Sequence, residues 1–549
     1  MAQAPARSRP ATVSRPTLRQ RRLVRALQVE RPAWQSWPFW ALWLRRAVQG
    51  TQRGALALTR SEWAFAALLT LCYGYFLTPA GTNTISRWDM VYALAHGGAN
   101  IDVHASNTID VSYYNGHWYS PRSLGLSLLA TPVLMAIGHF VDLDNLHLLT
   151  LTDQIALLNA FTVLPASVAA CLVMRRFAVR LRPELAQSPL PYVVAGVFGL
   201  ATLFYPFTTT FFSHTVGGAF LFIGFYLLHT ARDMSHSTQR ILAAGLFSGL
   251  GVITEYPAGV IFLVLCGYIL LAFPARRIKT LVYYGLGVLP SGLTLAWYNW
   301  YAFGNPFSLS YGFVSGNEFS GQHTGFFGIT FPRAEGLWQI LVYPRGLLIE
   351  SPFLVLIPLG FYLWYRAGVA RYEALAALAI AVIYPLMVSS YFLPMAGENL
   401  PGPRLLLPML PFASLALVWV VDDARRWLRY ALVAGVGFSL VITYLYVITG
   451  VRIYHNYGSY PLTDLFMPTL RTGIVPTRNG PTPPNLGALW LHIPLPWSIY
   501  LVAIALLAWY YAATRAILGA PAPTHAPDAP STTETLDGET PDAQLAASH

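Results

Sequence analysis

Thirteen stretches of this chain are apolar over lengths that cross, or nearly cross, a lipid bilayer. They fall at about 62 to 79, 123 to 141, 154 to 174, 190 to 210, 215 to 231, 241 to 254, 257 to 273, 279 to 300, 346 to 366, 373 to 393, 404 to 421, 428 to 449 and 496 to 517. A hydrocarbon core of about 30 Å takes roughly 20 helical residues at 1.5 Å each, so these runs constrain the fold before any motif does. Most are continuous, tolerate Gly and Pro inside, and lack the alternation that barrel strands need. Only 11% of the 549 residues are charged while 55% are apolar, against about 25% charged in soluble domains. An ordinary cytosolic enzyme, a nucleic-acid-binding domain and a disordered scaffold are excluded. The expected class is an all-α polytopic membrane protein with about 12–13 transmembrane helices, solvated by membrane lipids and with no nucleic-acid partner.

Because charge is scarce, its placement is informative. Residues 1–61 form a basic arm containing Arg7, Arg9, Arg15, Arg19, Arg21, Arg22, Arg25, Arg31, Arg45, Arg46, Arg53 and Arg60, which the positive-inside bias places in the cytoplasm. Such an arm reads as a topology signal or as a contact with anionic headgroups. Residues 519–549, rich in Pro, Ala, Thr, Asp and Glu with no Lys or Arg, read as a disordered tail. If 123 to 141 does not cross, the basic loops Arg175 to Arg182, Arg232 to Arg240, Arg276 to Lys279, Arg366 to Arg371 and Arg425 to Arg429 all fall inside. If it crosses, every later loop swaps sides and the bias inverts. That run is therefore expected to be a juxtamembrane or re-entrant helix on the outer side, within a membrane domain spanning 62–518. The large outer loops are then about 80–153, 301–345 and 450–495.

The stretch from Ile241 to Phe273 is too long for one crossing and would bury Glu255 mid-membrane. A hairpin turning at Glu255-Tyr256-Pro257 at a water boundary is expected instead, with Pro257 opening the second helix. Cys72, Cys171 and Cys266 all lie in apolar runs and offer neither a disulfide framework nor a thiol metal site.

Polar chemistry gathers in the first outer loop. It carries Arg87-Trp88-Asp89, Asp102 with His104, and then Asp110 followed by Tyr114-Asn115-Gly116-His117-Trp118-Tyr119-Ser120-Pro121-Arg122-Ser123-Leu124-Gly125. A carboxylate can take a hydroxyl proton, a guanidinium can offset phosphate charge, and aromatic rings can stack on sugars. The same composition also suits an interfacial belt, with Trp and Tyr at headgroup depth.

The block from Tyr114 to Gly125, following Arg87-Trp88, resembles the first outer loop of the GT-C glycosyltransferases that use polyprenyl-phosphate sugars, including protein O-mannosyltransferase and aminoarabinose-transferase relatives. Phe212-Ser213-His214-Thr215, Thr254-Glu255-Tyr256-Pro257, Phe303-Gly304-Asn305-Pro306-Phe307, Pro344-Arg345-Gly346-Leu347 with Ser351-Pro352, and Gly402-Pro403-Arg404 with Pro408 resemble further blocks in bacterial members. The resemblance implies a long first outer loop with juxtamembrane helices, in agreement with the charge argument. It also implies an inverting transferase with a lipid-linked sugar donor and an acceptor that is a glycan, a lipid or a protein.

Where many relatives carry an Asp-Glu pair before the Arg-Tyr matched by Arg87-Trp88, this chain has Thr84 and Ile85. Asp89, Asp102 or Asp110 must then supply the base, and Asp110 lies nearest the Tyr-Asn-Gly block. Arg122 and Arg404 are expected to bind donor phosphate, Arg404 having a snorkelling anchor as its alternative. His214, Glu255, Glu398, Tyr114 and Tyr119 complete the expected substrate pocket. Glu350 is expected to be paired internally.

No zinc spacing, Walker-type loop or Rossmann fingerprint is present, and a divalent cation is left open by the sequence. The competing readings are a secondary transporter, against which no internal repeat is visible, and a surface-polysaccharide polymerase or ligase. For the topology, a single cysteine placed at Arg277 should stay unlabelled by an impermeant reagent added from outside; its labelling would overturn the assignment.

Overall fold

A computed structural model describes residues 58–78, 80–143, 149–234, 237–395, 401–423, 425–451, 466–473 and 485–520. The basic arm up to residue 57, Glu398, most of 450–495 and the acidic tail beyond 520 lie outside the described residues.

Each of the thirteen apolar runs carries helix. The longer helices are α1 (Arg60–Gly74), α2 (Thr82–Ala95), α3 (Leu124–Phe140), α4 (Leu151–Phe161), α5 (Val163–Leu181), α6 (Leu190–Leu200) and α7 (Ser213–Arg232). They continue with α8 (Thr238–Thr254), α9 (Gly259–Ala272), α10 (Arg277–Phe303), α11 (Ile357–Ala367), α12 (Arg371–Ser389), α13 (Arg426–Ile448) and α14 (Tyr500–Leu518). By length and composition, Leu151–Leu181, Ser213–Arg232, Arg371–Ser389, Arg426–Ile448 and Trp497–Leu518 can each cross a membrane, and five shorter apolar helices accompany them. This is an all-α polytopic membrane protein. The expected hairpin at Glu255 is present, α8 ending at Thr254 and a 3-10 turn over Tyr256–Ala258 leading into α9. The run at 404 to 421 alternates between 3-10 and α geometry, with Pro408 and Pro411 removing backbone donors.

In lipid, apolar surface gains nothing by leaving the solvent, so helices associate through close packing and polar contacts. Small residues make that possible here. A Cβ on Gly245 would lie 2.0 Å from the Tyr284 carbonyl oxygen, and one on Gly287 would lie 2.1 Å from that of Leu242, so α8 and α10 meet backbone to backbone. Gly217 likewise admits Glu255, whose Cβ lies 2.7 Å from where a glycine Cβ would stand. α7 is the most enclosed of the long apolar helices, with 78% of its apolar window buried against 22% for α14. Its two ends therefore deliver side chains into the interior of the bundle.

Between α2 and α3 the chain forms a small antiparallel hairpin, β1 (Ser112–Tyr114) with β2 (His117–Tyr119), in the register Ser112 to Tyr119 and Tyr114 to His117. Asn115 (φ 48°) and Gly116 (φ 87°) both occupy the left-handed region, the Asn-Gly signature of a type I′ turn. Tyr114 and Tyr119 pack on Phe303 at ring separations of 5.7 and 5.0 Å, fixing the hairpin to the end of α10.

Replacing Gly245 by Val should lower the melting temperature of the purified protein by several degrees, since overpacking costs about 1–3 kcal/mol. Gly267→Ala, where a Cβ meets nothing within 4 Å, should not lower it.

Candidate functional site

The hairpin register brings the residues flanking its strands together. Arg122 Nε donates to Asp110 Oδ2 at 2.7 Å, and Nη2 donates to the same oxygen. Asp110 is buried, its own N–H donating to Thr108 Oγ1 at 3.1 Å. Burial opposes the Arg122 charge, but the Asp110 carboxylate outweighs it and holds the guanidinium above the usual arginine range. Both bonds fall on Oδ2, so Asp110 Oδ1 keeps its lone pairs for another partner. Just beyond, Ser123 O–H donates to the Thr254 carbonyl, Leu124 N–H donates to Tyr256 Oη at 3.4 Å, and Gly125 lies where a Cβ would collide with Thr254. Two sequence blocks far apart in the chain thus form one surface.

A third block joins through Arg87 of α2. This fully buried side chain donates from Nε to Asn83 Oδ1 at 3.2 Å and from Nη2 to Ser213 Oγ at 2.7 Å. Ser213 O–H in turn donates to Glu255 Oε2 at 2.6 Å, and His214 Nδ1 lies 2.8 Å from that oxygen. Burial, then the Arg122 charge, pull Arg87 down to about 10, with Glu255 opposing. It stays protonated at neutral pH. Glu255 is 3% exposed, so the turn that carries it opens inward onto the arginines and not onto water.

Arg404 completes the cluster. Its guanidinium lies over the Phe212 ring at 5.2 Å, and its charge interacts with those of Arg122, Asp110 and Glu255. Among the described residues its side chain makes no hydrogen bond or ion pair, and its Nε is buried without a partner. Gly402 (φ 38°) sets its approach, packed so closely on Glu350 that a Cβ would lie 2.3 Å from Oε2. Glu350 is paired internally, accepting from the Tyr446 hydroxyl. Tyr311 and Tyr391 also sense the Arg122 charge. Ser112 Oγ donates to the Ser310 carbonyl at 2.8 Å, which carries the Tyr311 segment to the hairpin, and Tyr391 donates to Gln322 Oε1 at 2.6 Å.

Among the described residues the cluster holds three guanidinium groups, those of Arg87, Arg122 and Arg404, and two carboxylates, those of Asp110 and Glu255. One positive charge is left over when His214 is a neutral imidazole. A buried surplus cation calls for an anion. The described residues contain no group of three or more His, Cys, Asp or Glu side chains that could hold a metal ion.

The remaining expected site residues lie elsewhere. Asp102 accepts from Trp118 N–H at 2.6 Å and sits 2.6 Å from His117 Nδ1, an exposed clasp on the outside of the hairpin. Tyr114 and Tyr119 contribute to the aromatic packing on Phe303. Asp89, two residues beyond Arg87 on α2, is buried with no well-formed hydrogen bond on either oxygen. Glu398 lies outside the described residues. Arg87, Ser213, Tyr256, Tyr311 and Tyr391 are further members of the cluster. The signal for Arg87 was present in the sequence as the one basic residue of the Thr82–Ala95 helix.

No family model matches the sequence, and no curated protein matches it. Among solved structures, the chain resembles ArnT from Cupriavidus metallidurans bound to undecaprenyl phosphate, at 15% identity and a TM-score of 0.47, over 84% of this chain and 76% of that one.

Burial pushes the Asp89 carboxyl up to about 7 from 3.8, opposed by the Asn107 side chain. The folded protein then binds a proton that the unfolded chain has released, so this group's contribution to stability falls as pH rises from about 4 to about 7. Thermal melts of Asp89→Asn should show a smaller loss of stability across that window than the parent protein. An unchanged pH dependence would show that Asp89 does not titrate there.

Proposed function

We propose that the protein is a membrane glycosyltransferase that moves a sugar from a polyprenyl-phosphate carrier to an acceptor hydroxyl at the outer face of the membrane. The observation that carries the reading is Arg404, half-buried with its Nε enclosed and unpartnered, its charge felt by the Arg122–Asp110 pair, and with no anionic partner among the described residues.

The charge count supports this chemistry. A glycosyl phosphodiester brings one negative charge, which the surplus positive charge of the cluster balances. In the transfer, the acceptor oxygen bonds to the anomeric carbon, the bond from that carbon to the phosphate oxygen breaks, and the configuration inverts. The acceptor proton passes to Asp110 Oδ1, and the leaving carrier phosphate gains a second negative charge. Protonated Asp110 no longer offsets a guanidinium, so the cluster gains one positive charge as the phosphate gains one negative. Arg122, released from a full ion pair, and Arg404 turn toward the leaving group, where preorganised donors lower the barrier most. Arg87, tied through Ser213 to Glu255, holds the opposite wall and keeps the cluster positive. The acceptor is a glycan, a lipid or a protein, and membrane lipids surround the carrier. A secondary transporter, whose polar site would sit between matched halves near the midplane, fits less well with a cluster built from helix ends and outer loops.

With folding checked by monodisperse elution, cells carrying Asp110→Asn should accumulate the same carrier-linked sugar as cells lacking the protein. Clearance of that lipid at the parent level would remove Asp110 from the mechanism. In native mass spectrometry with undecaprenyl phosphate as probe, Arg404→Gln should weaken binding about tenfold or more, the scale of one charged hydrogen bond at about 1.5–3 kcal/mol. Asp110→Asn should retain binding.

A further inference from the structure

At the other end of α7, about 25 Å from His214 by the rise of the helix, lies a cleft of about 760 Å3. Arg180 at the end of α5, Arg232 at the end of α7 and Arg371 at the start of α12 line it, against one carboxylate, Asp233. The buried Glu373 behind the wall is already committed. Its Oε1 accepts from Arg232 Nη1 at 2.5 Å and from the Tyr268 hydroxyl at 2.6 Å, and lies 2.9 Å from His229 Nδ1. Arg180 and Arg371 have no carboxylate partner among the described residues. The first turn of α12 lines the same cleft, and its N-cap, Ala370, has no side chain able to accept from the free N–H groups.

The flank below the cleft is what distinguishes a lipid from a soluble anion. From Arg371, the residues one, two and three turns along the same face of α12 are Leu375, Leu378 and Val382, all exposed. That is an apolar track, leading away from a cationic head, on a helix apolar enough to cross a membrane. Tyr372 at the cleft and Tyr365 and Tyr362 in the last turns of α11 are exposed aromatics, the residue type enriched at headgroup depth.

We infer that Arg180, Arg232 and Arg371 form a binding site for the phosphate headgroup of an anionic phospholipid, with an acyl chain laid along the Leu375, Leu378 and Val382 face of α12. The site is separate from the arginine cluster at the other end of α7 and does not depend on the activity proposed there.

Native mass spectrometry of the full-length protein in neutral detergent tests this with phosphatidylglycerol, phosphatidylcholine and inorganic phosphate as probes. Phosphatidylglycerol should bind at least tenfold more tightly than phosphatidylcholine, and the double variant Arg180→Gln, Arg371→Gln should lose that preference. Arg515→Gln, an exposed arginine on α14, should keep it. Equal binding of the two lipids, an unaffected double variant, or displacement of the lipid by millimolar phosphate would each overturn the proposal, the last in favour of a soluble anion. Should the double variant fail to fold, phosphatidylglycerol with a photoreactive acyl chain decides with the parent protein alone. Crosslinks should concentrate between Leu375 and Val382, and crosslinks spread evenly over other lipid-facing helices would overturn the assignment.

Discussion

Three guanidinium groups gathered in one buried or half-buried cluster repel one another, and the lowered proton affinity of Arg87 reflects first its burial and then the charge of Arg122. The two carboxylates that make the assembly tolerable are themselves positioned by structure distant in sequence. Asp110 is brought to Arg122 by the hairpin, and Glu255 is brought to Arg87 through Ser213 by the packing of α7 against the turn after α8. Removing Glu255 would leave the buried Arg87 uncompensated, a change of the kind that typically costs about 3–5 kcal/mol. The compensation is incomplete by one charge, and that deficit is the most informative feature of the molecule.

The scaffold serves this arrangement by being rigid where the cluster needs it. Glycine contacts let α8 approach both α7 and α10 closely, and the absence of a side chain at Gly125 seats the start of α3 on Thr254. With no hydrophobic force between helices in lipid, such contacts and the polar links of Ser123 to Thr254 and of Leu124 to Tyr256 must do the holding. α7 spans the distance between two positively charged regions, the buried cluster at its N-terminal end and the open cleft at its C-terminal end, while its middle carries no charge.

Much of the fold was legible because a lipid solvent enforces a simple rule, and every apolar run long enough to matter carries helix. The turn at Glu255 was legible for the same reason, since one continuous helix would have been too long and would have held a carboxylate in hydrocarbon. The hairpin at Asn115-Gly116 was not read as one, although the dipeptide is among the strongest local turn signals; the surrounding aromatics looked like an interfacial belt. In the site, the residue types were visible but not their partners. A linear reading favours Asp110 over Asp89 and Asp102 only by its nearness to the Tyr-Asn-Gly block. Only the register of the hairpin sets Asp110 against Arg122 and turns Asp102 outward to His117. Arg87 was visible but uninterpretable, because its significance lies in Ser213, 126 positions away.

The hairpin has one more consequence. Its turn residues are solvent-exposed, while at its base Asp110 is buried and its partner Arg122 half-buried. A two-stranded ribbon of three residues per strand transmits bending at its tip directly to its base. Any binder that gripped the Asn115-Gly116 turn and levered the ribbon away from Phe303 would pull Asp110 and Arg122 out of alignment without entering the interior. The molecule therefore offers a handle to water-soluble ligands that could never reach its charged centre through lipid.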